Sequence, residues 1–378
     1  MRNRRLDVLR GIAILLVLLR HAEHQSRVTA AGWVGVDLFF VLSGFLISGL
    51  LFSEYKKRGS IDFKRFLVRR GMKIYPAFYV LLLATLAYQI LFHQVSHPGQ
   101  SLSEMFYVQN YGSSIWGQTW SLAVEEQFYI LLSLFFLVMI RYSSNRANPF
   151  GTVPLAFLVV AIVCLALRVA AVVGIPVAEL GISGSLFTRA YFPTQCRIDA
   201  PFFGVLLGYL YHYRPDVLDR IVGLGRRRAV LVALSSLLIS TSLFFPLRSK
   251  TMLGVGLTAM YLGFGIVLLL CLRVIGVLPS AASNMVQLFG AGFAYVGTYS
   301  YSIYLWHEAV ESWGPPFMRR FLHITMGIFS GSIFYIVVSV LFGIALSKLV
   351  EYPMLKLRDR VFPGAGPESL RVAAIANT

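Results

Sequence analysis

Arg10 and His21 bracket a nearly unbroken apolar run near the start of the chain. On an α-helix, eleven residues make about 1100° of rotation, so the two side chains leave within roughly 20° of each other and about 16 Å apart along the axis. His is the side chain best suited to exchange protons near neutral pH. Asp7, three residues before Arg10, can pair with it. Taken singly, Arg10 reads as a membrane-surface anchor and His21 as an interfacial histidine. On one shared face they point to a polar cavity running up the helix, because ionisable groups in lipid are expensive.

Other segments add chemistry at matching spacings. Asp37 follows Gly-Trp-Val-Gly-Val at the start of a second apolar run and falls at the level His21 would reach on an antiparallel neighbour. There it is either a carboxylate that orients the imidazole or one favoured by a helix N-terminus. Glu125 and Glu126 lie one turn into the fourth run. Ser121, four residues before Glu125, shares its face, so Glu125 reads as a general acid or base or as part of a clamp on a hydroxyl. Arg69, Arg70 and Lys73 precede Tyr75-Pro76 and suit either topology or a phosphorylated ligand, since guanidinium groups grip phosphates bidentately. Tyr304 and His307, three apart, can serve one polar site. Arg197-Ile-Asp199 and Glu351-Tyr-Pro353 open and close other runs.

The elements that must position these groups follow from composition. The 378 residues are 57% hydrophobic and only 13% charged, against about a quarter charged in a soluble domain. The chain is therefore predicted to be an all-α, polytopic transmembrane bundle. Ten spans are expected, near 8–23, 34–52, 74–92, 120–140, 153–174, 198–212, 229–246, 252–272, 296–313 and 324–348. The first has no small-residue cleavage site after it and reads as a retained helix. A net charge of +17 suggests nucleic acid in a soluble protein, but here it follows from the positive-inside rule. About 25 of the 34 Lys and Arg fall in alternate segments and about seven in the others, which predicts cytoplasmic termini in an inner (cytoplasmic) membrane. Residues 1–355 read as one membrane domain and 356–378 as a short cytoplasmic tail.

Cys164, Cys196 and Cys271 are scattered and odd in number, so neither a disulfide framework nor a metal pair is expected. The histidines form no ligand cluster along the sequence, and no metal is expected. Residues 61–73 read as an amphipathic helix on the inner surface, with Phe63, Phe66 and Leu67 on one stripe. The stretch from His93 to Thr119 carries no Lys or Arg and is rich in Tyr, Trp, Asn and Gln. It reads either as an interfacial aromatic belt or as a surface that stacks on a sugar.

In this order, these motifs resemble the acyltransferase-3 family of integral membrane O-acyltransferases over roughly residues 4–355. The resemblance rests on Arg10-x10-His21, Gly-Val-Asp37-Leu-Phe-Phe-Val-Leu-Ser-Gly, the basic cluster before Tyr75-Pro76, Trp120-Ser121-Leu-Ala-Val-Glu125, Tyr-Ser-Ile-Tyr304-Leu-Trp-His307 and Glu351-Tyr-Pro353. It implies transfer of an acyl group, commonly acetyl from acetyl-CoA as co-substrate, to a hydroxyl of an extracytoplasmic glycan, lipid-linked sugar or small product. By residue, it implies His21 as catalytic base or transient acyl carrier and Glu125 on the acceptor side. Arg10, Arg69, Arg70 and Lys73 would face the CoA donor, while Trp120, Ser121, Tyr304 and His307 would line the acceptor path. Lys73 stands where the family's basic motif ends in Arg, keeping the charge without the planar fork. No appended esterase-like domain is expected, which leaves acceptor recognition to the membrane domain. The rival reading is a transporter of a polar or lipid-linked solute, which intramembrane charges also suit.

Overall fold

The computed structural model describes residues 3–23, 26–93, 98–143, 147–174, 186–273, 284–323 and 325–363, and all regular structure among them is helical. Every predicted span lies on a helix: α1 (Arg4–His21), α3 (Val34–Arg58), α4 (Phe63–Leu91), α6 (Thr119–Tyr142), α7 (Val153–Val173), α8 (Asp199–Tyr213), α10 (Arg226–Phe244), α11 (Leu257–Arg273), α13 (Ser300–Phe321) and α14 (Ile328–Leu346). Shorter helices are α2 (Arg27–Ala30), α5 (Pro98–Met105), α9 (Pro215–Val222), α12 (Asn284–Thr298) and α15 (Tyr352–Val361). Among the described residues, seven helical stretches are long and apolar enough to cross a membrane, so the chain is a polytopic membrane bundle. Helices α1, α8 and α13 fall outside those seven. Helix α1 carries charges at both ends, α8 has only 15 residues, and α13 holds Glu308, Glu311, Pro315 and Pro316.

Glycine lets the central helices touch backbone to backbone, the usual device where lipid supplies no hydrophobic drive. A Cβ built on Gly44 of α3 would stand 1.8 Å from the carbonyl oxygen of Pro201 in α8, and one on Gly204 would stand 2.2 Å from that of Val41. The α3–α8 seam is thus a mutual fit of two small residues. Around it an aromatic cluster forms, in which Phe52 stacks on Phe136 at 5.1 Å and meets Phe150 edge-on at 5.0 Å.

Three expectations change. Residues 273–295, left between two expected spans, include most of helix α12. It runs antiparallel to α1, with Gly11 and Gly297 letting the backbones close on Phe293 and Asp7; residues 274–283 lie outside the described residues. The amphipathic stretch 61–73 is no separate surface helix. Asp62 caps Arg65 N–H, and the stretch forms the first turns of α4, which continues through Pro76. Finally, the last span continues beyond 348. A π-turn at Ser347–Glu351 leads into α15, where Asp359 accepts a bond from Arg69 at 2.9 Å. The tail expected from residue 356 therefore begins as packed helix, and 364–378 lie outside the described residues.

The aromatic stretch 93–119 is neither a plain belt nor an open surface. Tyr107 stacks on Phe78 at 4.6 Å, and Asn110 donates to Thr194 Oγ1 at 2.9 Å. Fully buried Glu104 accepts bonds from the N–H groups of Ile115 and Trp116 and from Thr119 Oγ1, which fixes the entry to α6. Burial pushes its carboxyl above the ordinary value, partly offset by those donors. Residues 94–97 of the stretch lie outside the described residues.

The α3–α8 seam generates a paired prediction. Gly44→Val should cost several kcal/mol of stability, well above the usual range for overpacking of about 1–3 kcal/mol, because the added carbon meets backbone rather than a movable side chain. Gly290→Ala, where a Cβ meets nothing within 4 Å, should be neutral or slightly stabilising. Thermal unfolding of both variants in detergent checks this.

Candidate active site

The site grows from the C-terminal end of α1. His21 is the last residue of that helix, its side chain about one-third exposed, and it meets α13. Its Nδ1 lies 3.3 Å from Oε2 of Glu311, and its Nε2 lies 4.0 Å from Oε1 of Glu308. An ionised carboxylate can only accept, so the proton belongs on Nδ1 and the lone pair on Nε2. His307, fully buried one turn before Glu311, sets its ring edge-on to His21 at 4.9 Å. Its Nδ1 lies 2.5 Å from the carbonyl oxygen of Tyr304, which again places the proton on Nδ1. Glu308 is held by the N–H of Gly117 at 2.9 Å.

Asp37 does not take part in this cluster. Completely buried, it pairs with Arg197 at 2.9 Å, and the guanidinium of Arg197 lies over the rings of Tyr191, Phe40 and Trp120. The expected orienting role at His21 passes to Glu311. A second buried pair, Arg168–Asp199 at 2.8 Å, is satisfied further by Cys196 O, Gly254 O and Thr258 Oγ1. His21 and His307, which form no cluster along the sequence, meet in space with Glu308 beside them.

Glu125 and Arg70, assigned to opposite sides of the path, belong to one network. Arg70 donates to the Tyr129 hydroxyl at 2.5 Å and stands 3.7 Å from Glu125 Oε2. Tyr129 donates to that same oxygen, and the Ser43 hydroxyl bridges both groups. Ser121, one turn before Glu125, bonds the Tyr304 hydroxyl at 2.7 Å. Tyr304 lies beside His307, with ring centroids 5.4 Å apart. A string of polar groups therefore runs from Arg70 through Glu125 to Ser121 and Tyr304, and on to the histidines. Trp120 packs on Tyr191 and Phe192 instead of facing this string.

At the other end of α1, Arg10 stands 3.8 Å from Asp7. Lys73 lies within electrostatic reach of Arg10, Arg70 and Glu351, while Ser302 donates to Glu351. Arg69 is tied to Asp359 and to the Phe362 carbonyl, which ties the most exposed member of the basic cluster to α15. Arg70 and Lys73 remain closer to the interior.

Against His21 opens a cavity of about 260 Å³ between α13 and α14, lined by Glu23, Glu311, Arg319, Phe334 and Tyr335 among others. Its lining mixes carboxylate, guanidinium and aromatic groups, with the His21 ring in the cavity wall. Sequence reading passes over Glu308 and Glu311. The signal was present, because Glu311 stands four residues beyond His307 and Glu308 four beyond Tyr304, so each carboxylate shares a helix face with a residue already singled out.

A family described as an acyltransferase domain matches residues 3–348. The peptidoglycan O-acetyltransferase OatA of Listeria monocytogenes is 27% identical over 334 residues, covering 83% of this chain and 50% of the relative. A putative O-acetyltransferase of Staphylococcus aureus (strain COL) is 29% identical over 333 residues, or 81% and 50%. The O-acetyltransferase OatA of Staphylococcus aureus is 27% identical over 326 residues, or 81% and 50%. The chain thus spans about half the length of the curated relatives it matches. No solved structure matches it significantly. With a domain match across almost its whole length, the chain belongs to the acyltransferase-3 family of membrane acyltransferases.

Proposed function

We propose that this chain transfers an acyl group, acetyl being the simplest choice, from cytosolic acyl-CoA to a hydroxyl of an extracytoplasmic glycan. The observation that carries this reading is His21, oriented by Glu311 on Nδ1 and set in the wall of a cavity that an acceptor would enter. The relatives' names, peptidoglycan O-acetyltransferase among them, support a carbohydrate acceptor. Charge asymmetry supports an inner-membrane setting with Arg10 on the cytoplasmic side and His21 toward the outside.

The reaction needs one proton relay. His21 Nε2 takes the proton of the acceptor hydroxyl, and the oxygen attacks the thioester carbonyl. The tetrahedral intermediate collapses with cleavage of the C–S bond, and the imidazolium returns its proton to the departing thiolate. Ester and free CoA result. Arg10, Arg70 and Lys73 face the phosphates of the donor, whose thin pantetheine arm follows the polar string past Glu125, Ser121 and Tyr304. Glu311 holds the tautomer and stabilises the imidazolium, the division of labour known from other carboxylate–histidine pairs.

Two measurements test the reading. With purified protein, labelled acetyl-CoA and a glycan acceptor, His21→Ala should lower turnover by roughly 10²–10⁴-fold, and Glu311→Gln should lower kcat by less while leaving the KM for acetyl-CoA nearly unchanged. Wild-type protein that moves glycan across vesicles without consuming acetyl-CoA would instead establish a transporter. Arg70→Ala should raise the KM for acetyl-CoA about tenfold or more, with Arg70→Lys intermediate. An unchanged KM in both variants would leave Arg70 to the Glu125–Tyr129 network alone.

A further inference from the structure

His21, His307 and Glu308 each offer one ligand atom, and those three atoms lie within 4.8 Å of one another. Two of the groups are already prepared as metal ligands. The Glu311 carboxylate takes the Nδ1 side of His21, leaving Nε2 free to donate electrons. The Tyr304 carbonyl takes the Nδ1 side of His307, and its Nε2, in a fully buried ring, has no hydrogen-bond partner among the described residues. Metal-bound histidines commonly show this arrangement, in which a carboxylate or backbone carbonyl holds the opposite ring nitrogen. A buried imidazole nitrogen with no partner is costly unless something binds it.

We propose that these three residues form a binding site for a zinc-class divalent metal ion, open to the exterior through the cavity beside His21. Two imidazole nitrogens and one carboxylate suit zinc, with the fourth position left to water or an incoming hydroxyl. Zinc bonds of about 2.0–2.2 Å bring neighbouring ligand atoms to roughly 3.3 Å in a tetrahedral set. The triangle must therefore contract by about 1.5 Å at its widest. His21, about one-third exposed at a helix end, is the group with room to move. The metal takes the same Nε2 lone pair that the proposed acyl transfer uses, so occupancy blocks transfer and external zinc acts as an inhibitor. That consequence rests on the proposed role of His21; metal binding itself does not.

Tag-free, full-length protein in detergent, stripped with a chelator, tests this by calorimetric titration with zinc chloride and by cobalt(II) absorption. The expected result is one ion per chain and the intense visible bands of tetrahedral cobalt. His307→Gln, which keeps the volume and loses the ligand, should weaken binding at least tenfold while eluting as a monodisperse peak. Glu311→Gln, which removes only the group behind the His21 ring, should weaken it by about 10–100-fold. Wild-type protein that binds no zinc, or binding unchanged in His307→Gln, overturns the site. Should His307→Gln fail to fold, Glu308→Gln replaces it under the same criterion. Acyl transfer without zinc binding removes this inference alone, and zinc binding without acyl transfer removes the functional reading alone.

Discussion

The ion pair between Asp37 and Arg197 is the constraint around which the bundle is arranged. Both groups are buried, and removing one partner from such a pair costs about 3–5 kcal/mol because the other charge is left without compensation. Asp37 comes from α3, Arg197 from the turn before α8, and the rings that sandwich the guanidinium come from α3, α6 and residues just before α8. Immediately beside it, Asp199 pairs with Arg168 of α7. Two adjacent pairs thus tie α3 and α7 to the start of α8, and they do so at a depth where solvent cannot substitute for a missing partner.

This arrangement leaves the chemistry to a different layer. The charges that hold the fold are closed on each other with short bonds, whereas those around His21 are longer and partly exposed. Glu308 and Glu311 lie on a helix whose distal half contains Pro315 and Pro316, beside the cavity. A buried, ion-paired core and a looser reactive rim are therefore assembled from the same residue types, and their packing distinguishes them.

Much of the architecture was legible in the amino-acid sequence, because a span of apolar residues announces itself by length and hydropathy alone. All ten expected spans fall on helices. What was not legible is pairing across helices. Asp37 carries no mark along the chain that says Arg197, 160 positions away, is its partner, and it read equally well as a companion for His21. Helix α12 escaped notice because its partner surface is α1 backbone reached through Gly11 and Gly297. Glycine carries no hydropathy signal of its own, so only the folded chain reveals why those positions are small. Arg10 and His21 were the most readable feature because their relation lies within one helix.

The glycine seam between α3 and α8 has a mechanical side. Where two helices meet main chain to main chain, neither can slide without colliding with carbonyl oxygens, so the seam acts as a fixed bearing. Any breathing of the bundle is then displaced to the opposite flank, where α13 loses two backbone donors at consecutive prolines and α14 packs beside the cavity. The seam is then the stator of the bundle, and whatever gives way does so around it.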